Sequence, residues 1–128
     1  MDGIRFLDVN DVLAIHHDTL EHEGGGTGIR DIALVESAVA APMASFAGQY
    51  LHPNLASMAA SLKFSLIGNH GFVDGNKRVG TLAALVFLDV NGVERFPCAE
   101  ELERMALGVA SGGIGKDALT RWWESVLD

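Results

Sequence analysis

The chain has 128 residues and a formal net charge of −8, with 17 acidic residues against 9 basic ones. That length suits one domain over residues 1–128 with its own core, and the charge, with no Lys/Arg run to form a basic stripe, excludes nucleic acid as a natural partner. A single cysteine, Cys98, cannot form an internal disulfide and fits a reducing cytoplasm, while the longest apolar run, Leu82 to Leu88, is too short to span a membrane.

The opening MDGIRFLDVND carries acids early and lacks the apolar stretch of a signal peptide. Ile4–Val9 alternates weakly and suits a short strand or an extended lead-in. Asn10 or Asp11 is placed to cap a helix running to about Glu23, and the GGGTG of Gly24–Gly28 stops it. Asp31 is the expected cap of a second helix, with Ile32, Val35, Ala38 and Val39 as its apolar stripe and Pro42 at its end. Phe46–His52 reads as a loop or short flap.

Pro53 suits the start of a third helix. Its Leu55, Ala59, Leu62 and Leu66 fall on one face. The next helix runs from about Gly75 to Val90, and VGTLAALVFLDV is apolar almost all round, as expected of a helix at the centre of a bundle. Asn91-Gly92 is its stop, and VERFP is a candidate extended partner for IRFLDV. Glu100–Ala110 and Asp117–Leu127 are two more helices, with Cys98 a small filler at a helix start. The expected fold is all-α, a compact bundle of about six helices.

Between the third and fourth helices lies HGFVDGNKR, His70 to Arg78. The first N–H groups of the following helix have no partner within the helix, and its dipole places about half a positive charge there. Lys77 and Arg78 are electrostatically misplaced at that end unless an anion joins them. Backbone donors, a Lys and an Arg converging at a helix N-terminus describe a phosphate site. Asp74, beside those cations, is a candidate Mg²⁺ ligand, and His70 a candidate proton acceptor. Together these are the parts of phosphoryl or nucleotidyl transfer. Singly, each has an ordinary reading: Asp74 a helix cap, Lys77 and Arg78 solvated charges, His70 a core histidine. The stretch is neither a Walker A loop, since the Lys follows Asn76 and precedes Arg78, nor an EF-hand, which needs later ligands and a closing Glu.

The nine residues resemble the H-x-F-x-[DE]-G-N-x-R signature of the Fic/Doc family. GIRDIALVESAVAAP resembles the N-terminal half of its Doc branch, and the NG of FLDVNG also fits. Most Fic proteins transfer AMP and carry G-N-G-R-x-x-R; here Lys77 replaces the Gly and Thr81 the second Arg, both as in the Doc branch. That resemblance implies a toxin of a toxin–antitoxin pair, a kinase that transfers the terminal phosphate of ATP to elongation factor Tu and stops translation. It also implies an antitoxin segment that folds onto the toxin. Carried over residue by residue, His70 is the base, Asp74 the Mg²⁺ ligand, and Gly75, Asn76, Lys77 and Arg78 the phosphate-holding group. Phe72 is a buried anchor. Gly71, where Pro is common, is expected to loosen the loop.

Three further readings stay beside this one. A Fic-type adenylyltransferase would use the same His70 and Asp74. His17-Asp18 raises an HD-type phosphohydrolase, which needs another upstream His that is absent before His16. Thr19 to Gly24 fits the spacing of the inhibitory [ST]-x-x-x-E-[GN] motif of the Fic branch, although a helix ending in Glu-Gly is common.

Overall fold

The computed structural model describes residues 3–23 and 28–127, with the backbone alone at 22 and 23. Six helices and one small hairpin follow in order: α1 (Val9–Glu23), α2 (Ile32–Ala40), a 3-10 turn (Ala41–Met43), β1 (Ser45–Phe46), β2 (Gln49–Tyr50), α3 (Leu55–Asn69), α4 (Asn76–Val90), α5 (Ala99–Ser111) and α6 (Lys116–Leu127). The fold is all-α, as its alanine- and leucine-rich sequence implies. No helix among the described residues is long and apolar enough to cross a membrane.

Local chemistry explains the helix starts. Asp8, rather than Asn10 or Asp11, opens α1: Asp11 N–H donates to Asp8 Oδ1 and Asp8 N–H to Asp11 Oδ2, each at 2.9 Å. This is a reciprocal capping box. Asp31 caps α2 as expected, accepting from the Ala33 N–H. Asn54 and Ser57 form a second capping box at α3, so Pro53 stands just before the cap. Cys98 does sit at a helix start, at the N-cap of α5, but it is exposed and forms no capping bond.

Two expectations for the extended segments are corrected. The strand pairing of IRFLDV with VERFP is not formed. Instead the Asn91 side chain serves Arg5 as a strand would, accepting from its N–H and donating to its carbonyl, both at 2.9 Å, while also donating to Phe87 O at 2.8 Å. One amide thus stops α4 and ties down the N-terminal segment. The expected loop at Phe46–His52 contains the β1–β2 hairpin, with pairs Ser45–Tyr50 and Phe46–Gln49. Its turn residues Ala47 and Gly48 both have positive φ, 53° and 80°, which suits the twist of a two-residue hairpin.

Helix α3 is the platform of the bundle. It is buried from Ala56 through Lys63 and again at Leu66 and Ile67, and it packs against α2, α4, α5 and α6. Helix α4 lies between α1, α3 and α5. It is not buried all round: Val79, Gly80, Ala83, Ala84, Phe87 and Leu88 face the core, whereas Leu82 and Leu85 are half-buried and Val86 is exposed. Apolar residues on every side of a helix do not require burial on every side, and the uncovered side of α4 becomes one wall of a cleft.

One core residue runs against the apolar pattern. Lys63 is fully buried; its Nζ reaches Leu102 O at 3.4 Å and stands 5.7 Å from the ring centres of Trp122 and Trp123. Desolvation pushes this amine down to about 8. An unfolded lysine titrates at roughly 10.4. Between those values the unfolded chain binds more protons than the native one, so stability rises with pH; below both, the desolvation penalty is present in full. Lys63→Met, similar in shape and uncharged, is therefore expected to melt at a higher temperature than the wild type at pH 7. The gap should narrow as pH is raised through 8 toward 10 in thermal unfolding series. A gap independent of pH would show that this amine does not titrate early.

Candidate active site

The site begins where α3 ends. His70 caps the helix in the left-handed conformation, φ 52° and ψ 47°, which costs a residue with a β-carbon roughly 1–2 kcal/mol. Its Nδ1 stands 3.3 Å from Gly68 O. A carbonyl can only accept, so Nδ1 donates in this contact, and in the neutral ring the lone pair then lies on Nε2. The Arg30 guanidinium closes the same helix end: Nε donates to His70 O at 2.6 Å and Nη2 to Asn69 O at 3.1 Å.

The chain after His70 is pinned from three sides. Gly71 O accepts from the Arg30 and Asp31 N–H groups at 2.8 and 3.0 Å. A β-carbon at Gly71 would stand 2.5 Å from Val35 Cγ2 and 3.2 Å from Val35 N. The expectation of a loosened loop is thus corrected: glycine here lets the start of α2 close onto the loop. Phe72 is buried, forms an antiparallel bridge with Ile29, and stacks on His16 of α1 with ring centres 3.9 Å apart. His16 Nε2 donates to Asp74 O at 3.0 Å.

Asn76 departs from expectation. Its side chain is buried and turned inward, accepting from Phe72 N at 3.1 Å and donating to Phe72 O at 3.0 Å. It clasps the loop rather than presenting its amide to a phosphate. What it can offer a ligand is its backbone N–H at the first position of α4. Gly75, the N-cap, has φ 83° and makes no side-chain capping bond. Asp74 is exposed, with Oδ1 accepting from Gly75 N at 2.8 Å. Lys77 and Arg78 are exposed on the first turn.

His70, Asp74, Lys77 and Arg78 line one end of a cleft of about 690 Å³ between α4 and α5. Leu82 and Leu85 of α4 and Leu102, Glu103 and Leu107 of α5 also line it. Thr81, half-buried in the wall, turns its hydroxyl back to Lys77 O at 3.0 Å. The cleft therefore has a cationic, donor-rich end that suits phosphates and an apolar trough beside it.

Two residues that hold this site escaped the sequence reading of the motif. His16 figured only as the limit of the search for a histidine upstream of His17-Asp18; the signal was a histidine four residues after Val12, on the buried face of α1. Arg30 lay in a stretch noted for resemblance alone. His17 points away from the core and pairs with Glu21 at 3.1 Å on the exposed face, so the two adjacent histidines do different things. In the Thr19–Gly24 pattern, Thr19 is buried with its hydroxyl on Ile15 O; the Glu23 side chain and Gly24 lie outside the described residues.

The Asn76 clasp gives a direct test. Asn76→Ala leaves the Phe72 N–H and C=O buried without their present partners, which costs about 1–3 kcal/mol for such a group. Its denaturant midpoint is expected to fall accordingly, and backbone amides of residues 71–75 should lose hydrogen-exchange protection. Unchanged protection there would mean that the clasp is not what closes the loop.

Residues 6–88 match the model of the Fic/DOC family. Over 90 residues the chain is 43% identical to the protein named Toxin Doc from Mycolicibacterium smegmatis, covering 70% of this chain and 67% of that one. Over 111 residues it is 29% identical to the Protein kinase doc of Escherichia phage P1, covering 87% and 86% of the two chains. The matched span runs from the lead-in to α1 through most of α4 and includes the whole of His70–Arg78, and this chain belongs to the Fic/DOC family.

Proposed function

We propose that this chain is the toxin of a toxin–antitoxin pair and acts in the cytoplasm as a protein kinase. It transfers the terminal phosphate of ATP to a Ser or Thr hydroxyl of a translation factor, elongation factor Tu by resemblance to Doc toxins. The observation that carries this reading is one juxtaposition. His70, whose Nδ1 is turned to Gly68 O, lines the same cleft as Asp74, Lys77, Arg78 and the N-terminus of α4. The names of the two relatives, one a toxin and one a protein kinase, support it.

The donor set fits both implied ligands. Gly75, the N-cap of α4, makes no side-chain capping bond and brings no side chain to obstruct the approach of the helix N-terminus to phosphate oxygens. Lys77 and Arg78 supply the charge that a polyphosphate needs in an acidic protein. The Asp74 carboxylate, steadied by the Gly75 N–H, is the ligand for Mg²⁺, which when bound would neutralise charge on the phosphates. His70 takes the proton of the target hydroxyl on Nε2. The oxygen then attacks the terminal phosphorus and ADP leaves. Terminal-phosphate transfer is preferred over AMP transfer because Lys77 fills the place of a Gly in AMP-transferring members. In the place of their second Arg, Thr81 is bonded back to its own helix.

The apolar trough suits the antitoxin. Leu82, Leu85, Leu102 and Leu107 form a surface against which the apolar face of a partner helix can fold. Bound there, the partner would close the cleft beside the motif.

The decisive experiment supplies a bacterial lysate with ATP labelled on either the alpha or the terminal phosphate. Label is expected on a lysate protein from the terminal position only, and not with His70→Ala; label from the alpha position would make the chain an adenylyltransferase. Independently, Mg²⁺-ATP is expected to raise the melting temperature through binding to the native state. Arg78→Ala should remove most of that shift. An identical shift in wild type and variant would take Arg78 out of the phosphate site.

A further inference from the structure

We propose that Arg30 is a positioning residue for His70, holding the catalytic imidazole in place through its backbone; the inference rests on the reading of His70 as the base. Arg30 lies 40 positions before His70 in the chain. Its Nε and Nη2 donate to the carbonyls of His70 and Asn69, at 2.6 and 3.1 Å. The planar fork thus spans two successive carbonyls at the end of α3, where the helix itself leaves carbonyls without partners. The positive charge also sits at the negative end of the helix dipole.

His70 needs such a clamp. Among the described residues only it and Ala47 have positive φ without being glycine. Ala47 belongs to a hairpin turn that demands that geometry. His70 occupies the position after a helix where glycine is the usual solution, and a left-handed conformation at any other residue persists only when its surroundings impose it. The shortest of the contacts around His70 comes from Arg30, and it falls on the carbonyl whose direction the backbone angles of His70 set.

Arg30 is itself anchored on the loop it clamps. Its own N–H donates to Gly71 O at 2.8 Å, and the next N–H, of Asp31, donates to the same oxygen at 3.0 Å. Asp31 in turn caps α2. Backbone and side chain of one residue therefore grip three consecutive carbonyls, those of Asn69, His70 and Gly71. This leaves little freedom for the turn between α3 and the loop. Two of the guanidinium's nitrogens are committed to the helix end, which argues for a role in geometry rather than in holding phosphate. Lysine could reach one of the carbonyls but not span both.

The test uses the full chain with Arg30→Ala, Arg30→Lys and His70→Ala, assayed by terminal-label transfer from ATP in bacterial lysate over a range of ATP concentrations. Arg30→Ala is expected to lower kcat by about a hundredfold, the scale of a misplaced reacting group, and to leave the KM for ATP nearly unchanged, because the α4 donors are untouched. Arg30→Lys should fall between, and low-millimolar guanidinium should restore part of the activity of Arg30→Ala. A second readout does not depend on turnover: the ring-nitrogen shifts of His70 should report the Nδ1–H form in wild type and an averaged ring in Arg30→Ala. If Arg30→Ala keeps kcat while His70→Ala is inactive, Arg30 does not position the base, although the catalytic reading stands. If KM rises and kcat holds, Arg30 is a phosphate ligand and the proposal is wrong. If His70→Ala remains active, the catalytic reading and the role of Arg30 fall together. Where no lysate protein accepts label, unchanged ring-nitrogen shifts in Arg30→Ala overturn the clamp and averaged ones uphold it.

Discussion

The hydrogen bonds between the Asn76 side chain and both polar groups of the Phe72 backbone are the constraint on which the site depends. A buried peptide unit must find partners for its N–H and C=O, and a sharp loop offers none from a strand or helix. One amide side chain satisfies both. Because Asn76 is also the first residue of α4, the same bonds fix the distance between the loop and the helix N-terminus. His70 stands before the clasp and Lys77 and Arg78 stand after it. Their relative placement is set by a residue that itself faces inward.

That clasp works only because the ground beneath it is rigid. Phe72 enters the core and is covered by His16, whose second task is to donate to Asp74 O. The segment at 28–31 lies along the loop as a short antiparallel partner, contributing N–H groups to Gly71 O and a carbonyl to Val73 N. Gly71 permits this approach, since any side chain would meet Val35. Helix α3, buried from Ala56 through Lys63 and again at Leu66 and Ile67, brings the loop to the mouth of the cleft. The exposed polar groups of the site are thus mounted on buried, bonded backbone, the arrangement that lets a few side chains hold a reactive geometry.

The charge distribution follows the same division. The chain is acidic as a whole, yet Arg30, Lys77 and Arg78 gather around one helix end and one helix start. Arg30 is placed at a C-terminus, where a cation is favoured; Lys77 and Arg78 are placed at an N-terminus, where it is not. Lys63, buried between α3, α5 and α6, is a different case: its ammonium has a carbonyl and two indole faces around it, and its effect is on stability rather than on the cleft.

Much of this was legible in the sequence. The helix periodicity, the Asp31 cap, the Asn91-Gly92 stop and the gathering of His70, Asp74, Lys77 and Arg78 around one cleft all rest on local rules, in which neighbours within a few positions decide the outcome. Those rules could not separate Asn76 from Lys77 and Arg78, because all three stand side by side and differ only in which way their side chains face. Nor could they separate His16 from His17. They also read the apolar α4 as buried on all sides, since hydrophobicity says nothing about whether a neighbour is present. Tertiary structure decided these points: Asn76 is drawn inward by the unmet bonds of Phe72, His16 by the ring beneath it, and Arg30 by carbonyls 39 and 40 positions away. Each answers a partner remote in sequence or hidden by the fold, and a pattern of single residues carries no record of where such partners come to lie.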